Sequence, residues 1–294
     1  MRLWIVPAAL ILALGGCAPP VARMRSQDVP SALPALTPPR VDPRALAEKL
    51  AAIQPQWPGN GHPASPAERH IDCRKVRCVA LTYDDGPGPY TGRLLDVLAE
   101  YHARATFFVI GQMVAADGPL TLRRMVSEGH EIGNHTWSHT QLTALSDAGV
   151  KGELSRTQQI VHHVTGRWMS LMRPPYGATN QRVTAVARRK GLAQILWSLD
   201  TMDWRDRDSL VVIQRASRAA RGSVVLMHDI HPTTVEAAPQ VLARLTAAGY
   251  TFVTLSEMYG KALTPGREYF GDTELDRRTA GERRESIRLR NTGS

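Results

Sequence analysis

Two adjacent carboxylates, Asp84 and Asp85, precede a Gly-Pro turn in the run Thr82-Tyr-Asp-Asp-Gly-Pro87. Consecutive side chains on an extended backbone diverge, so two such acids can do different jobs; they could also simply cap a helix or close an Asx turn. Further on, His135-Thr-Trp-Ser-His139 sets two imidazoles at i, i+4. That spacing predicts a helical turn with both rings on one face, as metal-binding pairs require. With a carboxylate from another strand end, the pair makes a two-His, one-carboxylate site that leaves positions for water, the pattern of a hydrolytic rather than a structural metal. Arg173-Pro-Pro-Tyr-Gly177 is a stiff turn that projects a permanent cation beside that site. Asp200-Thr-Met-Asp203-Trp204 adds two acids and an aromatic that core packing alone could explain. In Leu226-Met-His-Asp229, His228 has an acid partner within reach in the neighbouring loop, which suits proton transfer. His130, His162 and His163 read as a strand-end contact and ordinary helix surface.

These groups need a scaffold that brings distant segments to one face. Between about residues 71 and 262, short β-branched runs alternate with amphipathic stretches, the pattern of βα units around a parallel sheet. Strands are predicted at Cys78–Tyr83, Ala105–Ile110, His130–Asn134, Met169–Met172, Leu192–Leu199, Ser223–Met227 and Thr251–Leu255. Helices are predicted at Thr91–His102, Leu120–Glu128, Asp147–Val164, Gln181–Lys190, Ser209–Ala220 and Thr234–Ala248. The expected fold class is α/β, a distorted (β/α) barrel with about seven βα units, with an open doubly wound sheet as its competitor. Each unusual polar cluster falls just after a predicted strand, on the face where such a barrel gathers its catalytic loops.

Residues 1–17 begin Met1-Arg2, continue with an apolar run from Leu3 to Leu14, and end in Leu14-Gly-Gly-Cys17. This resembles a bacterial lipoprotein signal peptide with Cys17 as the lipidated residue, too short to span a bilayer permanently. Residues 18–70 are rich in Pro and Ala and read as a semi-extended tether, with a short helix allowed at Ala45–Ile53. Residues 263–294 mix Arg with Asp and Glu and read as a charged flexible tail. An exported chain meets oxidising conditions, so Cys73 and Cys78 read as a local disulfide; no His or second Cys pair stands nearby to complete a zinc site. The net charge of +9 comes from scattered arginines. No basic run is interleaved with aromatics, so nucleic acid is not an expected partner.

The segments TYDDGP, HTWSH, RPPYG, DTMDW and LMHD, in that order, resemble the motifs of the polysaccharide deacetylase family, carbohydrate esterase family four. The likeness covers the whole central domain, with Tyr83 where Phe is commoner. It implies that Asp85, His135 and His139 hold one divalent ion, zinc first and cobalt or manganese as alternatives, which activates water and polarises an acetamide carbonyl. It implies Asp84 as general base with Arg173 as its ion-pair partner, and the Tyr176 backbone N–H as an oxyanion donor. His228 would be the general acid paired to Asp203 rather than Asp200, with Trp204 and Leu226 walling the acetyl pocket. The implied activity is hydrolysis of N-acetyl groups on cell-wall glycan. N-acetylglucosamine or N-acetylmuramic acid in peptidoglycan comes first, chitin-like oligomers next and acetylated xylan third. A glycosidase using Asp84 and Asp85, and a non-catalytic wall-binding module, are the competing expectations; adjacent acids on one strand cannot readily face each other across a sugar bond.

Overall fold

The structure is a computed structural model that describes residues 69–271. Cys17, the signal segment, all but the last two tether residues with Ala45–Ile53, and the tail beyond residue 271 lie outside the described residues. The strands are β1 (Arg77–Asp84), β2 (Thr106–Val109), β3 (Glu131–Asn134), β4 (Leu171–Met172), β5 (Ala193–Ile195), β6 (Leu199–Asp200), β7 (Val224–His228), β8 (Tyr250–Phe252) and β9 (Glu268–Tyr269). All pair in parallel in the order β6-β7-β1-β2-β3-β4-β5-β9, with β8 added beside the start of β1.

The helices are α1 (Thr91–Glu100), α2 (Gly111–Asp117), α3 (Pro119–Ser127), α4 (Asp147–Thr165), α5 (Gln181–Arg189), α6 (Asp203–Asp206), α7 (Ser209–Ala216), α8 (Pro232–Ala247) and α9 (Leu255–Tyr259). Several starts are fixed by side chains that accept otherwise unsatisfied N–H groups. Ser146 caps α4, Asn180 caps α5, Asp208 caps α7, and Thr254 with Glu257 forms a capping box on α9.

Alternation along the central strands separates two apolar layers. On β1, Val79, Leu81 and Tyr83 join the large cluster under the helices, while Cys78 and Ala80 join an inner cluster with Phe108, Leu171, Ile195 and Val224. Thr82 and Asp84 continue the inner register, so the strand delivers a carboxylate to the inner face at its last residue. Both faces are buried, which is why β1 and β7 read as nearly continuous apolar runs.

The architecture is the expected distorted (β/α) barrel, with two local corrections. The single strand expected at Leu192–Leu199 is two strands: β5 pairs with β4 and β9, whereas β6 pairs with β7 at the far end of the order. Only Leu196–Ser198 joins them, and so short a link spans at most about 14 Å. The sheet must therefore curl until its two ends approach each other. Second, β9 lies within residues 263–294, the stretch read as a tail; Tyr269 O accepts from Leu196 N and the Gln194 side chain bonds Gly266 O. Two residues are too few for a periodic pattern to reveal. The Cys73–Cys78 pair is a disulfide, with Cα atoms 5.4 Å apart, tying the segment before β1 to the strand itself.

Candidate active site

Asp84 closes β1, 3% exposed, and sits opposite His228 in the β1–β7 register. Its Oδ1 accepts from Arg173 Nη1 at 2.7 Å. Arg173 is fully buried and all three of its guanidinium nitrogens donate: Nη1 also to Thr82 Oγ1, Nε to Ile195 O and Nη2 to Leu196 O, while Phe108 lies beneath it at 4.2 Å. Burial pulls the guanidinium pKa down and Asp84 opposes that pull.

The chain turns sharply after Asp84. Asp85 has φ +75°, and Gly86 follows it because a Cβ there would lie 2.3 Å from the Asp229 carboxylate. Asp85 Oδ1 lies 3.3 Å from His135 Nε2 and 3.3 Å from His139 Nε2. It is buried and makes no hydrogen bond. One ligand atom from each of these residues falls within 4.8 Å of the others. His135 Nδ1–H donates to Arg173 O at 2.8 Å, which leaves Nε2 as the lone-pair nitrogen facing Asp85. An orphaned carboxylate oxygen facing two imidazole nitrogens is a donor set that fits a divalent ion. Burial works to raise the Asp85 pKa, but the three surrounding histidines hold it well below the usual carboxylate range. Burial takes His139 down to about 4, so its nitrogen is free to coordinate at neutral pH.

The two histidines converge, with ring centroids 5.0 Å apart, but not from a helical turn. Thr136 and His139 both have positive φ, and residues 135–141 form no regular helix or strand. Side chains accept its amides: Glu153 takes Trp137 N and Ser138 N, Asn134 Oδ1 takes Thr136 N, and Thr136 Oγ1 takes His139 N. Those acceptors replace the i→i−4 bonds of a helix, so the predicted turn is corrected to a side-chain-braced loop.

After β4, Tyr176 has φ +62° in the turn Pro175–Gly177, 47% exposed, with its ring edge-on to His139 at 4.8 Å. The turn closes through Gly177 N and Ala178 N, leaving Tyr176 N–H outside its bonding. Asp203, fully buried, accepts from His228 Nδ1 at 2.8 Å, His228 N at 2.7 Å, Trp204 N at 2.9 Å and Thr234 Oγ1 at 2.6 Å. Asp200 instead accepts from Met202 N. Burial pushes His228 down, yet Asp203, with Asp85 and Asp84 behind it, lifts the imidazole to about 10. Leu226 is buried two residues before His228 on β7, and Trp204 is half-buried on α6. His130 lies at the start of β3, away from these groups, where its Nδ1 accepts from Ala105 N.

Three neighbours were not anticipated. Thr82 shares Arg173 with Asp84. Asp229, buried and pushed by burial up to about 7, bonds Thr91 behind the Asp-Asp-Gly turn. His231 lies 5.6 Å from His228, ring to ring. A second histidine three residues after the first, just before a helix-starting proline, is the sequence signal that marks it.

Residues 72–195 match the family model described as polysaccharide deacetylase. The chain is 39% identical over 245 residues to peptidoglycan-N-acetylglucosamine deacetylase PgdA of Listeria monocytogenes, covering 82% of this chain and 52% of that protein. It is 38% identical over 214 residues to peptidoglycan-N-acetylmuramic acid deacetylase PdaC of Bacillus subtilis, covering 72% and 45%. A solved structure described as T48 deacetylase with substrate superposes with TM-score 0.65 at 42% identity, covering 68% of this chain and 99% of that one. The chain spans about half the length of these two curated relatives. With five motif segments on one face of a curled parallel barrel and near-complete overlap with a solved deacetylase domain, the chain belongs to the polysaccharide deacetylase family.

Proposed function

We propose that the chain is an exported, metal-dependent N-deacetylase that hydrolyses acetamido groups of cell-wall glycan. The observation that carries this reading is the pairing of Asp84 with His228 across β1 and β7, directly beside the Asp85–His135–His139 cluster. A divalent ion held by those three side chains, zinc first and cobalt or manganese as alternatives, supplies a Lewis acid and lowers the pKa of water.

The protein's own groups divide the remaining work. Asp84, held in place by Arg173, takes the proton of the attacking water as the C–O bond forms. Tyr176 N–H donates to the developing oxyanion. His228, an imidazolium whose Nδ1–H is held by Asp203, gives its Nε2 proton to the amine as the C–N bond breaks, releasing acetate. Trp204 and Leu226 wall the acetyl methyl.

Peptidoglycan is the preferred substrate, as N-acetylglucosamine or N-acetylmuramic acid residues, which accords with what the relatives' names say of them. Chitin-like oligomers and acetylated xylan follow. The catalytic domain in this reading runs from about residue 71 through β9, with the flanking 18–70 as a tether from a membrane anchored through Cys17. Among the described residues no helix is long and apolar enough to cross a membrane.

Chelation tests the reading. Metal removal is expected to abolish acetate release from N-acetylated glycan and added zinc to restore it, whereas glycosidic cleavage by the two acids would survive. Acetate release that persists without metal would reject the proposal. Asp203→Asn probes the acid: without that carboxylate, burial prevails and the His228 pKa falls. Since His228 acts in its protonated form, the alkaline limb of the kcat profile moves to lower pH by roughly 1–3 units. An unmoved limb would remove His228 as the acid.

A further inference from the structure

Arg207 closes the loop that carries Asp203 and Trp204. Its backbone is left-handed, φ +50°, at a position where Gly or Asn would be less strained. Met202, at the other end of α6, is left-handed too, so the short helix is bracketed by two uncommon backbone conformations. Such outliers concentrate where a side chain is needed in one place.

The Arg207 side chain is exposed yet fixed from two sides. Nε donates to Trp204 O at 2.9 Å, and Nη1 contacts His231 Nδ1. His231 is itself only 4% exposed, and burial, with His228 and Arg207 adding to it, takes it down to about 4. It is therefore a neutral acceptor for the guanidinium. Nearby carboxylates are engaged elsewhere: Asp206 with Arg205 and Arg215, Asp208 with the first amides of α7, Asp203 with His228. Two of five guanidinium N–H groups are used in holding the side chain, so a fork remains for an incoming carboxylate.

We propose that Arg207, braced by His231 and Trp204 one ring away from His228, is a specificity-determining subsite for a carboxylate on a sugar neighbouring the one that is deacetylated. The inference rests on the deacetylase reading and sharpens its substrate class from N-acetylated glycan to acidic N-acetylated glycan. A neutral homopolymer offers this fork only uncharged hydroxyl and acetamido oxygens, with which hydrogen bonding is weaker than with an anion. In peptidoglycan the carboxylate has two sources, the lactyl group of a bare muramic acid or the acidic peptide attached through it.

The test compares zinc-loaded full-length protein on three probes: chitotetraose, a peptide-free tetrasaccharide of alternating N-acetylglucosamine and N-acetylmuramic acid, and the same tetrasaccharide bearing peptides. Arg207→Ala is expected to lower the acidic-to-neutral ratio of kcat/KM about tenfold, through KM rather than kcat. Arg207→Lys should recover part of the ratio, and raising salt should erode the wild-type preference. Loss on the peptide-free probe identifies the lactyl carboxylate; loss confined to the peptide-bearing probe identifies the peptide. A ratio unchanged in Arg207→Ala, or an equal loss on all three probes, overturns the subsite and leaves the deacetylase reading standing. Wild-type protein that releases acetate from none of them overturns that reading, and the subsite with it.

Discussion

Asp84→Asn is expected to cut kcat by about 10²–10⁴-fold while metal still binds. Asparagine keeps an oxygen for Arg173 Nη1 but cannot accept the proton of water, and the donor cluster of Asp85, His135 and His139 is left whole. Acetate release and metal content, measured on the same preparation, separate the two effects. Turnover at the wild-type level would dismiss Asp84 as the base. Loss of metal along with turnover would instead place Asp84 among the ligands, a distinction that matters because its Oδ2 lies only 3.8 Å from His135 Nε2.

Arg173→Met should show its largest effect on stability. The fully buried guanidinium satisfies Asp84, Thr82 Oγ1 and two main-chain carbonyls, and a thioether satisfies none of them. Stranding a buried carboxylate costs roughly 3–5 kcal/mol. For a domain of this size that is a fall in Tm on the order of 10 °C. Thermal unfolding of the variant measures it, and the double variant Arg173→Met with Asp84→Asn should recover much of the loss, because the stranded charge is then gone. A single variant within 1 kcal/mol of the wild type would refute the account of a buried charge pair.

How far the sequence discloses this site depends on the range of the interactions involved. Long helices such as α4 carry their own periodicity and caps, and Ser146 and Gly166 mark its two ends within the chain itself. Strand β1 announces itself as an apolar run ending in an acid, with a second acid just after it. The break between β5 and β6 leaves no such trace: Leu192–Leu199 is apolar enough for one strand, and only the pairing of its halves with β4 and β7 divides it. The histidine loop is hidden for a related reason. An i, i+4 pair serves a helical turn or a braced loop equally well, and the brace, Glu153, belongs to a helix that begins eight residues after His139. Arg207 and His231 are 24 positions apart and carry no shared motif, so their contact is visible only after folding.

The guanidinium of Arg173 grips Ile195 O and Leu196 O, at the link where the two ends of the sheet approach, with the same fork that holds Asp84. Rim closure and the placing of the Asp84 carboxylate thus hang on one fastening. A fluctuation that parts the seam must also release Asp84, so with Asp84 as the proposed base an opened barrel would be chemically silent. Hydrogen exchange should accordingly find the amides of Leu196 and Asp84 opening together, as one cooperative unit.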